Sequence, residues 1–185
     1  MRALTLMLLL AFPLAHAADE VTVEARRKGD ALEVVCGAIL GTSAELVWQT
    51  LTDYNRLAEF IPGLRRSRVV GQRDGAIVVE QAGEAHFLFI SIPVEATLLT
   101  RERPPHAIDV SLEKGTLRRL EGGYRIQPQG AGRVVLTWQG TVEAQALPPL
   151  LGELIMRASI EEQFRGMVRE IERREALRRA APEGR

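Results

Sequence analysis

The sequence predicts an α+β fold in which a curved antiparallel β-sheet wraps around one long C-terminal helix. Three observations lead to this prediction. A nearly proline-free run from Pro148 to about Arg178 carries apolar residues at helical spacing. Segments between residues 67 and 143 alternate apolar and polar residues, as antiparallel strands with one buried face do. Two short helical patterns separate these segments from the first strands.

Residues 1–17 have the features of a secretory signal peptide. Arg2 gives a short positive region, residues 4–14 form an apolar run, and Ala15-His16-Ala17 offers small residues at the cleavage site. The apolar run is too short to span a bilayer comfortably. We therefore expect a periplasmic protein with one domain over residues 18–179 and a disordered tail over residues 180–185.

The first elements of the mature chain are a hairpin and two short helices. Val21–Arg27 and Leu32–Leu40 flank a Gly29-Asp30 turn. Residues 42–45 have the S/T-x-x-E form of a capping box, which predicts the start of a helix. A second short helix should run from Asp53 to about Phe60, where Pro62-Gly63 would end it.

The strand region begins at Ser67. Its first strands are predicted over Ser67–Gln72, Ala76–Gln81 and Ala85–Ile92, and alternation continues over residues 108–113 and 134–143. Pro93 cannot donate to a ladder, so it should mark a bulge or bend in a strand that runs to Thr100. The apolar phase slips near Arg118-Arg119, which predicts another bulge, and Gly122-Gly123 also suggests one.

The long helix should have two apolar faces, so it either bends near residues 158–160 or packs its halves on different elements. We predict that Ile160, Phe164, Val168 and Ile171 face the sheet. The first half would then form one wall of a cavity mouth, with the short helices and residues 60–64 forming the other. The cavity-facing helix residues would be Leu151, Leu154, Ile155 and Ala158.

One helix cannot cover the whole inner face of such a sheet, which leaves room for a ligand. Cavities for apolar ligands are built mainly from aromatic and aliphatic side chains. Aromatic candidates for the wall are Phe60, Phe87, Phe89, Tyr124 and Trp138, and the alternative is that most of them are plain core. Arg118 could turn inward toward a ligand head group, although such an arginine more often faces solvent.

Charge and motif content exclude several classes of function. The 24 basic and 24 acidic residues balance, which argues against nucleic-acid binding. The single cysteine, Cys36, cannot form an internal disulfide, and its strand pattern predicts a buried thiol. No metal-binding spacing is present, so we expect no metal or cofactor. We interpret His86 as a sheet residue or a polar group of the cavity. We interpret Asp53 as a helix N-cap rather than a catalytic base.

Several blocks of the sequence have a recognisable pattern: Val47-Trp48, Leu51-Thr52-Asp53-Tyr54, Phe60-Ile61-Pro62-Gly63-Leu64, Ser67-Arg68-Val69, residues 115–126 and residues 170–173. These blocks resemble the polyketide cyclase/dehydrase and coenzyme Q-binding START-domain family of the SRPBCC, Bet v1-like superfamily. The likeness covers about residues 32–174. The resemblance implies a helix-grip (START/Bet v1-like) fold with a hydrophobic cavity, in a family whose members bind lipids or isoprenoid quinones, cyclise polyketides or act on ribosomes.

The leading hypothesis is a monomeric periplasmic carrier for a hydrophobic small molecule, such as a lipid or an isoprenoid or quinone-like compound, with transient membrane contact. No catalytic residue is assigned. A first alternative is a cyclase or dehydratase that uses His86, Tyr124 or an inward Arg118 as acid–base groups. A second alternative is an interaction module whose groove holds a partner peptide, or whose cavity is filled by its own side chains.

Overall fold

The computed structural model describes residues 21–130, 132–145 and 149–181. The predicted signal peptide, Pro148 and residues 182–185 of the predicted tail lie outside these ranges. The described elements, in order, are β1 (Thr22–Lys28), β2 (Ala31–Leu40), α1 (Ala44–Leu51), a 3₁₀ helix (Tyr54–Glu59), β3 (Leu64–Arg73), β4 (Ala76–Phe87), β5 (Ile90–Arg103), β6 (Ala107–Gly115), β7 (Leu117–Pro128), β8 (Val134–Ala144) and α2 (Pro149–Ala180).

The strands form one antiparallel sheet of eight in the order β1-β2-β8-β7-β6-β5-β4-β3. Consecutive strands pair as hairpins except β2 and β3, which the two short helices separate, and β2 pairs with the last strand, β8, instead. The predicted turn at Gly29-Asp30 is present between β1 and β2. The α+β class and the predicted order of elements are therefore confirmed.

The sheet curves around α2. This helix packs against both β2 and β4, which are separated in the sheet by the four strands β8, β7, β6 and β5. In a flat sheet β2 and β4 would lie roughly 24 Å apart, whereas a helix with its side chains is only about 10–12 Å wide. Contact with both strands therefore requires the sheet to curl around the helix, and the core fills the space between them.

Helix α2 is uninterrupted through residues 158–160, where the sequence allowed a bend. Its buried side chains include Ile155, Phe164 and Ile171. No described helix is both long and apolar enough to cross a membrane.

The region around residues 85–93 differs from the prediction. A two-residue turn at Leu88-Phe89 divides the predicted strand, so that β4 ends at Phe87 and β5 begins at Ile90. Leu88 has a φ of 54°, a conformation that usually selects glycine or asparagine, so the residue types gave no turn signal.

The predicted bulge at Pro93 is also wrong, because the β4–β5 register is unbroken from Phe87–Ile90 to Ile77–Thr100. The β6 ladder begins only at Ala96, so no strand pairs with that edge of β5 beside Pro93 within the described residues. The missing N–H of the proline is tolerated there.

The β7–β8 pair contains one of the two predicted bulges. Its register shifts between Leu117 and Arg119, which confirms the bulge near Arg118-Arg119. Gly122 and Gly123 pair in register with β8, so a bulge there is wrong. A Cβ added to Gly122 would lie 2.6 Å from the Gln139 carbonyl oxygen, so Gly122 permits a close approach of β7 to β8. Gly123 permits a close approach to β6, because a Cβ added to it would lie 2.5 Å from the Ile108 carbonyl oxygen.

The first predicted helix cap is displaced by one residue, and the second is at the predicted position but lacks a capping hydrogen bond. Ser43, not Thr42, caps α1, because its hydroxyl accepts a hydrogen bond from the Leu46 amide at 3.2 Å. Thr42 donates to Glu175 of α2 at 3.0 Å instead. Asp53 occupies the N-cap position of the 3₁₀ helix without a side-chain capping bond, and its carboxylate pairs with Arg174 at 2.8 Å.

Two buried carboxylates, Glu170 and Glu175, help to connect the C-terminal half of α2 to the segment that contains the two short helices. Glu170 pairs with Arg173 and Arg174, and the Arg174 guanidinium also lies 5.3 Å above the Phe60 ring. Glu175 accepts hydrogen bonds from Arg178, Arg179 and Thr42. Hydrogen bonds from Arg173 to Glu170 and from Arg178 to Glu175 lower the pKa of each carboxyl from 4.5 to about 2.

These lowered pKa values predict acid sensitivity. The unfolded chain takes up protons on Glu170 and Glu175 near pH 4.5, but the folded chain does so only near pH 2. The stabilisation is complete above pH 4.5 and is lost as the pH falls from 4.5 toward 2, with up to about 3 kcal/mol from each group. We expect Glu175→Gln to lower the free energy of unfolding at pH 7. We also expect it to reduce the difference between the free energies of unfolding at pH 7 and pH 3, which urea unfolding at both pH values measures.

Glu161→Gln is the matched control, since the pair of Glu161 with Arg165 lies on the surface of the same helix. A pair of this kind contributes only about 0.3–0.5 kcal/mol. Equal unfolding midpoints for the parent protein and Glu175→Gln at pH 7 would contradict the prediction.

Candidate ligand-binding cavity

A partly enclosed cavity of about 170 Å³ lies between the inner face of the sheet and the middle of α2. Its walls are mainly aliphatic and aromatic side chains from β3 to β8, with α1, the 3₁₀ helix and the adjacent Ile61 forming one side. The polar or partly polar side chains in the wall are Tyr54, Gln81, Thr100, Tyr124, Trp138 and Gln163. The predicted contribution of the short helices to the cavity is therefore present.

A smaller cavity of about 110 Å³ adjoins the first. The two share wall residues that include Leu64, Leu98 and Ile160. The smaller cavity continues toward the β4–β5 hairpin, where Glu84 and Val94 contribute to its wall. Drug-sized ligands usually occupy about 300–1,000 Å³, so a ligand of that size would have to displace side chains of the shared wall.

The sheet register places two polar residues of the larger cavity's wall, Tyr124 and Trp138, in one row. Glu102 pairs with Ile108, Ile108 with Tyr124, and Tyr124 with Trp138. Directly opposed residues of antiparallel strands point to the same face of a sheet. The Tyr54 hydroxyl donates to Glu102 Oε1 at 2.7 Å, which ties the 3₁₀ helix to the end of this row.

Burial sets the protonation state of the groups in this row. It raises the pKa of Tyr124, and the Glu102 carboxylate adds to burial in raising the pKa of Tyr54. Cys36, which continues the row opposite Trp138, has its pKa raised to about 12 by burial. The two phenols are therefore neutral near pH 7 and act as hydrogen-bond donors, and Cys36 is a buried free thiol as predicted.

The predicted aromatic candidates are distributed differently. Tyr124 and Trp138 lie in the cavity wall, although their role in binding a ligand stays a prediction. Phe60 is half-buried beneath Arg174 and is not among the wall residues. Phe89 is 91% exposed at the hairpin turn, so its predicted place in the wall is wrong. The side chain of Phe87 lies outside the described residues.

Arg118 does not turn inward. Its guanidinium is exposed and pairs with Glu143 at 2.8 Å, and the neighbouring Arg119 pairs with Glu121. Arg118 and Arg119 therefore both face solvent, as the alternative prediction stated, because the bulge leaves their side chains on the outer surface.

The cavity-facing residues of α2 were predicted wrongly. The four residues predicted to face the cavity, Leu151, Leu154, Ile155 and Ala158, line neither cavity. Leu154 is 40% exposed and Ile155 is buried in the core. The wall is instead a helical stripe at i, i+3, i+4 and i+7, formed by Ile160, Gln163, Phe164 and Met167. The cavity follows the stripe that lies over the centre of the sheet.

Tyr54 is one of the wall residues that the sequence analysis did not name as a cavity candidate. The sequence did contain a signal, because Tyr54, Leu57 and Ile61 recur at helical spacing and all three line the cavity. Its partner, Glu102, is 48 residues away on β5, and no local pattern connects the two.

His86 lies beside a carboxylate but outside both cavity walls. Its Nε2 is 3.5 Å from Glu84 Oε2, which is longer than the roughly 2.6–3.2 Å of a catalytic hydrogen bond. Glu84 also accepts a hydrogen bond from Ser91 at 2.7 Å and pairs with Arg65. Within the described ranges, no group of three or more histidine, cysteine or acidic residues is placed to hold a metal ion.

A larger depression of about 960 Å³ is open to solvent and lined by polar and charged residues. Arg101, Asp109 and Arg125 lie on its wall, and its floor includes Gly123 and Gly140. An open, charged surface of this kind does not suit an apolar ligand.

The model of one protein family, described as polyketide cyclase / dehydrase and lipid transport, matches residues 40–172. The chain belongs to this family. Its members bind hydrophobic small molecules or lipids or have cyclase/dehydrase activity. No curated protein sequence matches the chain.

Solved structures of START and Bet v1-like proteins share the helix-grip fold of this family member. The Zhui aromatase/cyclase from Streptomyces sp. R1128 has a TM-score of 0.67 and 18% identity, over 83% of this chain and 98% of that chain. A START superfamily protein from Mycobacterium smegmatis has a TM-score of 0.64 and 14% identity, over 76% and 97%. A STAR-related lipid transfer protein from Xanthomonas axonopodis has a TM-score of 0.59 and 14% identity, over 83% and 99%.

Proposed function

We propose that the protein is a periplasmic carrier that holds a hydrophobic small molecule, such as a lipid or isoprenoid-type compound, in the cavity between the sheet and α2. The observation that supports this proposal best is the partly enclosed, mainly apolar space beside the helix. Each CH₂ group transferred from water to such a site contributes about 0.8 kcal/mol. The periplasmic location rests on the signal peptide that the sequence predicts.

The chemistry of the wall favours a carrier over a cyclase or dehydratase. Such an enzyme needs a proton acceptor in contact with the substrate, and the described wall of the larger cavity includes no histidine or carboxylate. Its phenols, Tyr54 and Tyr124, have raised pKa values and so hold their protons. The unfilled volume of about 170 Å³ also argues against a cavity that is filled entirely by its own side chains.

The test is ligand uptake by matched helix variants. Ile160→Arg places a guanidinium in the shared wall of both cavities, whereas Leu154→Arg introduces the same side chain on the exposed surface of α2. Ile160 is only half-buried, so its arginine can reach water and the fold should survive. We expect Ile160→Arg to weaken uptake of a fluorescent lipid at least tenfold and Leu154→Arg to leave it unchanged.

Native mass spectrometry of the protein purified from its own periplasm completes the test. A bound apolar molecule should be recovered from the parent protein and lost in Ile160→Arg. Consistently empty protein that takes up no lipid would refute a carrier, and release of a chemically altered ligand would support the cyclase or dehydratase instead.

We further propose that the β4–β5 turn is the site of transient contact with a lipid bilayer. Leu88 and Phe89 are 82% and 91% exposed. The same hairpin continues into the smaller cavity, and Ala85 of its wall lies only about 10 Å along the strand from the turn. Two protruding apolar side chains suit the 5–10 Å depth of interfacial insertion and offer much less than the roughly 800 Å² per partner of a stable protein interface.

Phe89→Asp should therefore reduce both co-sedimentation with phosphatidylcholine vesicles and the rate of lipid transfer by tenfold or more. Leu177→Asp is the control, because Leu177 is also an exposed apolar residue, at 58%, but lies near the far end of α2. Unchanged vesicle binding by Phe89→Asp, or an equal loss in Leu177→Asp, would show that the turn is not the contact site.

A further inference from the structure

We infer that the cavity selects a neutral ligand whose polar group, a carbonyl or hydroxyl oxygen, accepts a hydrogen bond from the Tyr124 hydroxyl, and that it excludes carboxylate lipids. This inference rests on the proposed function. It specifies the chemical class of the ligand and the direction in which the ligand lies.

The Tyr124 hydroxyl is a free donor inside the molecule. It makes no hydrogen bond to any of the described residues, whereas every fully buried side-chain polar atom in the same part of the chain has a partner. The hydroxyl must therefore retain accessible surface, and the position of Tyr124 in the wall directs that surface into the cavity.

A second donor lies beside the first. Trp138 is directly opposite Tyr124 in the β7–β8 pair and lines the same cavity. Its indole N–H also makes no hydrogen bond to the described residues. An indole N–H donates and cannot accept, and a buried phenol donates readily. The pair therefore suits a ligand oxygen that accepts.

The other polar side chains of the wall are less available. The Tyr54 hydroxyl is engaged by Glu102 at 2.7 Å, and the Gln81 amide donates to Ser67 at 3.4 Å. Gln163 is exposed to solvent. Thr100 has a free hydroxyl but is one row away from Tyr124 along the sheet and has a shorter side chain.

The charge of the wall decides between neutral and anionic ligands. Among the described residues that line the larger cavity, none carries a charge. A carboxylate placed there would lose its hydration without gaining a cationic partner, which is strongly unfavourable. The smaller cavity adds Glu84, whose charge is matched by Arg65 and so offers no attraction to an anion. The ligand lies with its oxygen at Tyr124 and its apolar body toward the β4–β5 hairpin.

Three probes of equal chain length test this arrangement: undecane, 2-undecanone and undecanoate. Each is titrated at pH 7.5 against the parent protein that holds a neutral fluorescent naphthylamine. We expect 2-undecanone to bind about tenfold more tightly than undecane, and undecanoate to displace no dye. Tyr124→Phe should bring the affinity for 2-undecanone down to that for undecane and leave undecane unchanged, whereas Thr100→Val should preserve the preference.

The outcomes separate the two proposals. Undecanoate binding as tightly as 2-undecanone would overturn the exclusion of anions. Retention of the preference for the ketone in Tyr124→Phe, or its loss in Thr100→Val, would overturn the assignment to Tyr124. If the dye does not bind, or if neither neutral probe displaces it, the proposed carrier function fails and this inference fails with it.

Discussion

Replacing Phe164 with alanine should lower the free energy of unfolding by about 3–5 kcal/mol, the usual cost of removing a buried aromatic side chain. Phe164 is only 2% exposed and belongs to the central core cluster. It also borders the cavity, so its loss would enlarge an existing void rather than allow the neighbouring side chains to close over it.

Leu154→Ala is the control for this prediction. Leu154 lies on the same helix but is 40% exposed and absent from the cavity wall, so we expect a cost below about 1 kcal/mol. Urea unfolding with a shared m-value measures both variants. A larger loss of stability in Leu154→Ala than in Phe164→Ala would mean that the core lies under the first half of α2 instead.

The elements of the fold were predictable because each has a local period. Alternation marks the strands on either side of the turns, and a long run of helical spacing marks α2. The two-residue turn at Leu88-Phe89 is the exception. Both of its residues are apolar and lie in an unbroken apolar run from Phe87 to Ile90, so the sequence resembles a continuous strand where the chain reverses.

The orientation of α2 was not predictable from its own residues. The helix offers more than one apolar stripe, and the stripe that faces the cavity depends on where the helix lies over the sheet. Contacts with β2 and β4 fix that position, and they depend on the curvature of the whole sheet. Ile155 and Phe164 are therefore both buried, but only Phe164 borders the cavity.

The polar contacts of the site join residues that are far apart in the sequence. Tyr54 and Glu102 are 48 residues apart, and Asp53 and Arg174 are 121 residues apart. Sequence reasoning identified Tyr124 and Trp138 from the alternation of their strands, but it could not identify them as neighbours. The pairing of β7 with β8 decides that.

The second large loss of stability that we expect comes from a substitution in the β7–β8 pair. Gly122→Ala should destabilise the protein by about 3 kcal/mol, at the upper end of the range for overpacking. The new methyl group would lie 2.6 Å from the Gln139 carbonyl oxygen and 2.7 Å from the Gly140 Cα, and both of these are backbone atoms. A side chain can rotate away from such a clash, but here the two strands would have to separate.

Gly71→Ala is the matched control, because Gly71 also lies in a strand, β3, and a Cβ there would meet no atom within 4 Å. We expect its stability to be unchanged or slightly higher, since alanine restricts the unfolded chain more than glycine does. Thermal and urea unfolding of the two variants decide the matter. If Gly122→Ala is as stable as Gly71→Ala, the close approach of β7 and β8 does not constrain the cavity wall. If Gly122→Ala is destabilised, its remaining folded fraction should also lose the preference for 2-undecanone, because Tyr124 and Trp138 are held opposite each other by this pairing.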